Sequence, residues 1–419
     1  MSATDSVRLT DLASPRFSPD VAALRDSLAT LADGVDFAPD ALRARAAAEL
    51  GLSDFGDAAY AEPLAVLAGA IDRSPLIAPV GRVMLHQQLL QLLRNRLLLT
   101  DLLVRHPEIH AIPVARPIVI CGLPRTGTTH LHNLMAADPA LRSLPYWESL
   151  EPIPLPAEAG VEPDPRLLRC ALSVQFIEQA MPEFKRMHEM TTWHAHEEIQ
   201  LLAMDCSTML FESLTPLAEW REYYLAHDQT PHYRYLRTVL QALQFLRGGR
   251  RWVLKSPQHL EQFGPLRAVF PDATFVVTHR DPATVVTSMA TMLAYSARMM
   301  HARIDPAAFG AYWADRLETM LRACVRDRDL LPVAQSIDVR FDDFMADDLA
   351  MVQRIYALAE QPFDAGVAAA MQAYMTDHPQ GRHGRVDYRA ADVGFNRAEL
   401  ERRFAFYTQR FIEPTEECA

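Results

Sequence analysis

A candidate strand, a glycine-containing turn and a helix start follow one another in Ile118-Val119-Ile120-Cys121-Gly122-Leu123-Pro124-Arg125-Thr126-Gly127-Thr128-Thr129. The four apolar residues at the start predict a buried strand, and the pattern after the turn predicts a helix. A turn of this kind brings backbone N–H groups and the positive end of a helix towards an anion. The stretch therefore predicts an α/β fold with an anion-binding loop at a strand end.

Further apolar runs extend this fold along the chain. The candidate strands are Ile118–Cys121, Trp252–Leu254, Thr274–Thr278 and Ile337–Phe341. Because helical patterns follow the first three, we expect a mainly parallel, doubly wound sheet with helices on both faces. Ligands bind such sheets beyond the carboxyl ends of the strands. Functional side chains should therefore lie where these strands end.

The first quarter of the chain has a helical pattern instead. Apolar residues such as Leu89, Leu93 and Leu97 recur near a period of 3.6, whereas Arg94 and Arg96 mark the other face. We therefore predict a helical N-terminal extension over residues 1–112 that packs on an α/β domain over residues 113–419.

Composition restricts the partners and the compartment. The 419 residues include 53 acidic and 41 basic side chains, and the net charge of -12 disfavours nucleic acid and anionic membranes as partners. The most apolar segment, residues 83–103, is interrupted by charged side chains. Met1 to Ser18 has no unbroken apolar stretch, so we expect neither a signal peptide nor an anchor. Five widely spaced cysteines, Cys418 included, have no metal or redox spacing. We expect a cytoplasmic protein without a membrane partner.

The loop departs from the nucleotide-hydrolase pattern at one position. That pattern requires a lysine where this chain has Thr128. The chain carries a cation at Arg125 instead, within the loop, where it can neutralise an anion without a metal. The alternative of a P-loop kinase or hydrolase is disfavoured because the lysine is missing.

The segment Pro124–Thr129 resembles the loop that binds the 5′-phosphosulfate in sulfotransferases that use 3′-phosphoadenosine 5′-phosphosulfate (PAPS), particularly bacterial and tyrosylprotein-type members. The resemblance covers about residues 113–412. It implies a P-loop-like sheet, PAPS as co-substrate, no metal, a small-molecule acceptor with a hydroxyl or amine, and a homodimer as one option. It also implies that the phosphosulfate is bound by Arg125, Thr126, Gly127, Thr128 and Thr129.

Three further segments resemble motifs of this family. Arg280 ends a candidate strand, and with Ser288 eight residues later it looks like the motif that binds the 3′-phosphate. Lys255, at the end of another candidate strand, corresponds to the lysine that approaches the transferred sulfuryl group. Arg382 and Arg385 lie in a basic glycine-containing segment similar to the one that closes over the nucleotide.

Sulfuryl transfer also needs a base that takes the proton of the acceptor. We rank Glu148 first, because tyrosylprotein-type members resemble this chain there and carry a base glutamate. His259 follows, four residues after Lys255, and Glu198 is third. His194 and Glu197 could share a helix face with Glu198 as metal ligands, but the zinc-protease spacing is absent. Together with the bases around His188, this cluster is more consistent with a structural role or with a wall of the acceptor pocket.

The sequence leaves open whether the protein is catalytic and what the proline-rich segment does. A protein that kept the fold and binds nucleotide without catalysis is an alternative, because fold alone does not establish activity. The proline-rich segment from Pro145 to Pro165 is predicted to be a surface loop, either a lid over the substrate or a plain connector.

Overall fold

The structure is a computed structural model that describes residues 6–249 and 251–413. Residues 1–5 and Cys418, which entered the predictions above, lie outside the described residues. The strands are β1 (Ser6–Val7), β2 (Ile118–Cys121), β3 (Leu141–Arg142), β4 (Leu144–Pro145), β5 (Ala195–His196), β6 (Arg251–Ser256), β7 (Thr274–His279), β8 (Ser336–Arg340) and β9 (Arg385–Val386).

Helices connect and cover these strands. They are α1 (Pro19–Ala29), α2 (Pro39–Leu50), α3 (Ala61–Arg73), α4 (Pro79–Arg105), α5 (Thr128–Ala136), α6 (Tyr146–Leu150), α7 (Pro165–Ala180), α8 (Ile199–Ala203), α9 (Leu210–Leu214), α10 (Ala218–Ala226), α11 (Thr230–Arg247), α12 (Phe263–Val269), α13 (Pro282–Ser296), α14 (Pro306–Asp327), α15 (Phe341–Ala346), α16 (Asp348–Ala359), α17 (Ala365–Asp377) and α18 (Arg397–Phe411).

The central sheet has five parallel strands in the order β3-β6-β2-β7-β8. It contains all four predicted strands, so the predicted fold class is confirmed. The bounds of β2 agree with the prediction, and the second predicted strand extends to Arg251–Ser256. The fourth strand is shifted by one residue, because Phe341 begins α15.

Strand β2 shows why the sheet is covered on both faces. Its four residues are buried, with Val119 and Cys121 in one apolar cluster and Ile118 and Ile120 in another. Alternate side chains of a strand point to opposite faces, so each cluster lies on one face of the sheet. Continuous apolar runs are typical of such doubly covered parallel strands.

The N-terminal helices contribute to the larger cluster. Leu89, Leu93 and Leu97 of α4 are buried in the same cluster as Val119. The prediction that Arg96 lies on the polar face is wrong: Arg96 is buried, forms an ion pair with Asp205 and donates to backbone carbonyls, which compensates its desolvation. Among the described helices, none is long and apolar enough to cross a bilayer.

The proline-rich segment is only partly the loop that was predicted. Tyr146–Leu150 forms the short helix α6, and Pro165 is the first residue of α7, where its missing N–H costs no hydrogen bond. The residues between them include a 3-10 turn at Pro156–Glu158.

Candidate active site

The loop between β2 and α5 is shaped by close contacts at its two glycines. A Cβ at Gly122 would lie 1.9 Å from Thr278 Oγ1, so the loop passes β7 at a distance that only glycine permits. Gly127 has a φ of +86° and directly precedes α5. The Thr126 hydroxyl donates to the Leu123 carbonyl at 2.6 Å and hydrogen-bonds with Thr278 at 2.7 Å. The glycines and Thr126 therefore fix the shape of the loop from inside.

Arg125 occupies the strained left-handed region, with a φ of +72°. Its guanidinium donates to the Met187 carbonyl and, at 3.3 Å, to the Tyr388 hydroxyl, while its Nε is buried without a partner in the described chain. Arg280, which follows β7, donates from Nη1 to the Arg125 carbonyl at 2.5 Å and stacks 3.8 Å from the Phe341 ring. Two predicted residues from distant segments are thus in direct contact.

A cavity of about 880 Å³ opens over this contact. Its lining includes Arg125, Gly127, Thr128, Thr129, Arg280, Arg382 and Arg385. Within residues 6–249 and 251–413, Arg125, Arg280 and Arg385 have no carboxylate within ion-pair distance. Burial, followed by the charge of Arg125, lowers the pKa of Arg280. The cavity is therefore a local positive site on an acidic protein, suited to an anionic ligand.

The basic segment after α17 forms one side of the cavity. Arg382 is ion-paired with Glu189, which also lies 3.1 Å from His383. The backbone of Arg385 pairs in parallel with Ser6, so strand β1 supports this side from the other end of the chain. The structure thus brings both predicted arginines to the cavity, but Arg385 alone of the two is without a counter-ion among the described residues.

Lys255 lies just behind the cavity. It is only 2% exposed, and its ammonium forms an ion pair with Glu197, which does line the cavity. Lys255 does not itself line the cavity, and it contacts the cavity lining through its ion pair with Glu197.

The hydroxyl of Ser288 does not reach the cavity. It is buried on α13 and donates to the Val285 carbonyl at 3.2 Å within its own helix. Of the two residues of this motif, Arg280 lines the cavity and Ser288 does not.

Comparison with known proteins agrees with this architecture. The sulfotransferase family profile matches residues 117–365. The chain belongs to this sulfotransferase family. Sulfotransferase STF1 from Mycobacterium tuberculosis H37Rv is 30% identical with a TM-score of 0.77, over 88% of this chain and 98% of STF1. Sulfotransferase STF9 from Mycobacterium avium is 27% identical with a TM-score of 0.79, over 90% of this chain and 97% of STF9.

A curated relative is more distant in sequence. The omega-hydroxy-beta-dihydromenaquinone-9 sulfotransferase Stf3 of Mycobacterium bovis is 24% identical over 277 residues, which are 62% of this chain and 67% of Stf3. The protein described here is thus a sulfotransferase, as the loop predicted, and the kinase alternative is not favoured.

The first-ranked base of this sulfotransferase, Glu148, is not brought to the cavity. It lies on α6, is 1% exposed, and forms ion pairs with Arg142 and Arg247, each at 3.2 Å. Its buried carboxylate is instead neutralised by Arg142 and by Arg247 of α11. No residue between Ser143 and Lys185 lines the cavity, so the proline-rich segment is no lid over it here.

Because Glu148 is held by two arginines, we expect Glu148→Gln to lower stability and to keep turnover. Removing one charge from a buried ion pair leaves the arginines partly uncompensated and costs about 3–5 kcal/mol in general, less here because Arg247 is 40% exposed. Thermal unfolding measures the stability of this variant, and kcat of the same preparation measures its turnover. A kcat reduced a hundredfold in a folded variant would instead restore Glu148 as the base.

His259 and Glu198 form a buried network beneath the cavity. His259 Nδ1 lies 2.8 Å from the Tyr233 hydroxyl, and Glu198 accepts the Lys255 backbone N–H at 2.7 Å. Burial, and then Lys255, lowers the pKa of His259 to about 3, while burial raises the pKa of Glu198 well above its ordinary value. Neither side chain lines the cavity, so neither is in reach of an acceptor there.

Three side chains that line the cavity were not among the predicted site residues: His188, Glu197 and Tyr388. For the cluster around His188 and Glu197, the sequence favours a structural cluster or a wall of the acceptor pocket over metal ligands. In the described part of the chain, no group of three or more metal-ligating side chains has the arrangement of a metal site. Tyr388 follows the basic segment by only a few residues, and its position beside Arg125 depends on tertiary contacts.

Proposed function

We propose that this sulfotransferase takes the sulfuryl group from PAPS and transfers it to the hydroxyl or amine of a small acceptor, without a metal. The observation that carries the proposal is the convergence of Arg125, Arg280 and Arg385, without carboxylate partners in the described chain, on one cavity at a strand end. Cationic side chains without counter-ions are the feature expected of a site for phosphate and sulfate groups.

The loop offers donors that fit this co-substrate. The buried Nε of Arg125 has no partner in the described residues, and the first N–H groups of α5 have no intrahelical acceptor. Both supply hydrogen bonds to a phosphosulfate at the helix N-terminus. Thr128 and Thr129 contribute through their N–H groups, while the hydroxyl of Thr126 is used inside the loop.

The other cations act around this position. Arg280 holds the Arg125 carbonyl and adds charge on the nucleotide side, and Arg385 closes the opposite side. We propose that Lys255 leaves Glu197 when the donor binds and then neutralises the charge that develops on the leaving oxygen. The in-line transfer leaves adenosine 3′,5′-bisphosphate as the product.

The name of a relative suggests one class of acceptor to test. The name of Stf3 describes a hydroxylated menaquinone derivative as its substrate. We therefore include apolar molecules with one hydroxyl beside phenols and amines in a screen with ³⁵S-labelled PAPS, followed by mass identification of the product. A screen without any labelled product would contradict the proposed transfer.

The donor is tested by ligand-induced stabilisation. Adenosine 3′,5′-bisphosphate should raise the Tm, because a ligand that binds only the folded state stabilises it, while ATP with Mg²⁺ should do much less. Equal stabilisation by Mg²⁺ and ATP would overturn the donor assignment.

Arg280→Ala should weaken donor binding about 10- to 100-fold, because one charge-assisted hydrogen bond to an anion contributes about 1.5–3 kcal/mol. The variant also loses the hydrogen bond that holds the Arg125 carbonyl. Isothermal titration with adenosine 3′,5′-bisphosphate measures the effect. Arg326→Ala, an exposed arginine paired with Asp327 outside the cavity, is the matched control. Unchanged affinity in Arg280→Ala would remove Arg280 from the nucleotide site.

We propose further that the helical region over residues 1–112 and the α/β region over residues 113–419 fold as one catalytic unit, supported by the shared apolar cluster. We also propose a cytoplasmic location. A homodimer remains a prediction, which light scattering can test.

A further inference from the structure

The segment that carries His188 is held beside the loop by backbone contacts. Strands β4 and β5 pair, and the N–H groups of Tyr146 and Trp147 donate to the carbonyls of His194 and Thr192 at 3.1 and 3.2 Å. At its start, the Met187 carbonyl accepts from the Arg125 guanidinium. His188 therefore directly follows Met187, whose carbonyl is bound by Arg125, the cation of the loop.

His188 lines the cavity and is free to accept a proton. The other histidine and carboxylate side chains of the cavity lining each have at least one hydrogen-bond or ion-pair partner: His130 with Asp348, Glu189 with Arg382, His194 with His196, Glu197 with Lys255, His378 with the Tyr374 carbonyl, and His383 with Glu189. In residues 6–249 and 251–413, neither ring nitrogen of His188 has a partner.

The charges that face His188 come from three elements. They are Arg125 of the loop, Lys255 of β6 and His194 beside β5, and the Phe184 ring packs edge-on at 6.0 Å. Burial, and then His194, Lys255 and Arg125, lower the pKa of His188 to about 3. The imidazole is therefore neutral before the donor binds, with its lone pair available in the cavity.

On the basis of the proposed PAPS-dependent transfer, we propose that His188 is the general base that deprotonates the acceptor, and that donor binding at Arg125 activates it. The acceptor oxygen forms a bond to sulfur while the bond from sulfur to the phosphate oxygen breaks, and that oxygen keeps the electron pair. The acceptor proton moves to the free ring nitrogen of His188 and later to solvent. No oxidant or further reactant is needed.

The activation follows from Coulomb's law. An anionic donor beside Arg125 and Lys255 offsets the positive potential that opposes protonation of His188. Its basicity then rises from the low value that burial and these cations set. His188 thus becomes a stronger base when the anionic nucleotide is bound.

The first test follows the titration of His188 by NMR of protein labelled with ¹³C in the histidine ring, with His188→Gln assigning the resonance. Adenosine 3′,5′-bisphosphate should raise the pKa of His188 above its value in the free protein, whereas the ring resonance of the exposed His110 should not move. Failure of the nucleotide to bind would overturn the proposed donor and the base together. Binding without a rise for His188 would overturn the base alone.

The second test separates a catalytic from a structural role. Phenol must lose its proton during transfer, whereas 4-nitrophenol is largely ionised in mildly alkaline buffer and needs no base. His188→Gln should therefore reduce kcat with phenol about 100-fold and kcat with 4-nitrophenol only slightly. His110→Gln, outside the cavity, should change neither. An equal loss with both phenols, or none, would contradict the assignment.

Discussion

Arg125→Ala should lower kcat/KM for PAPS by about 1,000-fold. Two charge-assisted hydrogen bonds to the phosphosulfate, each of about 1.5–3 kcal/mol, are lost, and about 1.4 kcal/mol corresponds to tenfold in rate. The side chain also anchors the Met187 carbonyl, so the segment that carries His188 loses its attachment to the loop. Alanine meets the same left-handed backbone strain as arginine, so the change tests the guanidinium itself.

The comparison for this variant is Arg389→Ala. Arg389 is exposed, paired with Asp387, and close in sequence to the basic segment, but it does not line the cavity. Its kcat/KM should stay within about twofold of the wild type, since exposed ion pairs contribute at most about 1 kcal/mol. If both variants lose activity equally, the effect of Arg125 is one of net charge and the proposed site is wrong.

Arg316→Met should lower the free energy of unfolding by about 3–5 kcal/mol. Arg316 is 0% exposed and holds Glu212 and Glu261 through three hydrogen bonds. Methionine keeps much of the volume but leaves two buried carboxylates without a cation. Since Glu261 ends the 3-10 turn that follows β6, the loss also loosens the strand that carries Lys255.

Urea unfolding followed by circular dichroism measures the loss in unfolding free energy of Arg316→Met. Arg322→Met is the matched control. Arg322 pairs with Glu318 on the surface of the same helix, so its substitution should cost less than about 1 kcal/mol. Equal stability of the two variants would mean that the buried carboxylates are protonated or solvated in the absence of Arg316.

The parts of the site that sequence predicts well are those fixed by local backbone geometry. Gly122, Gly127 and Arg125 belong to one turn between a strand and a helix, and Arg280 directly follows β7, so their positions follow once the sheet is parallel. The direction of a side chain from an adjoining helix is not local. Ser288 and Glu148 lie in predicted regions, yet Ser288 donates to the Val285 carbonyl, Glu148 pairs with Arg142, and neither lines the cavity.

The acceptor side was least predictable for the same reason. His188 and Glu197 reach the cavity through the pairing of β4 with β5, and two such short strands carry almost no hydrophobic pattern. The depressed pKa of His188 likewise depends first on burial and then on His194 and Lys255, which other elements of the fold bring close. The sequence contains these residues, but the long-range strand pairing that brings them together is not visible in it.

Strand pairing between β1 and β9 has a consequence for biosynthesis. Ser6 and Arg385 lie far apart in the sequence, so the two can pair only after the ribosome has passed Arg385. The bidentate contact of Arg8 with Asp392 reinforces the same closure. A nascent chain that ends before Arg385 therefore lacks this wall of the cavity, and retention on an immobilised adenosine bisphosphate resin would select chains that extend beyond it.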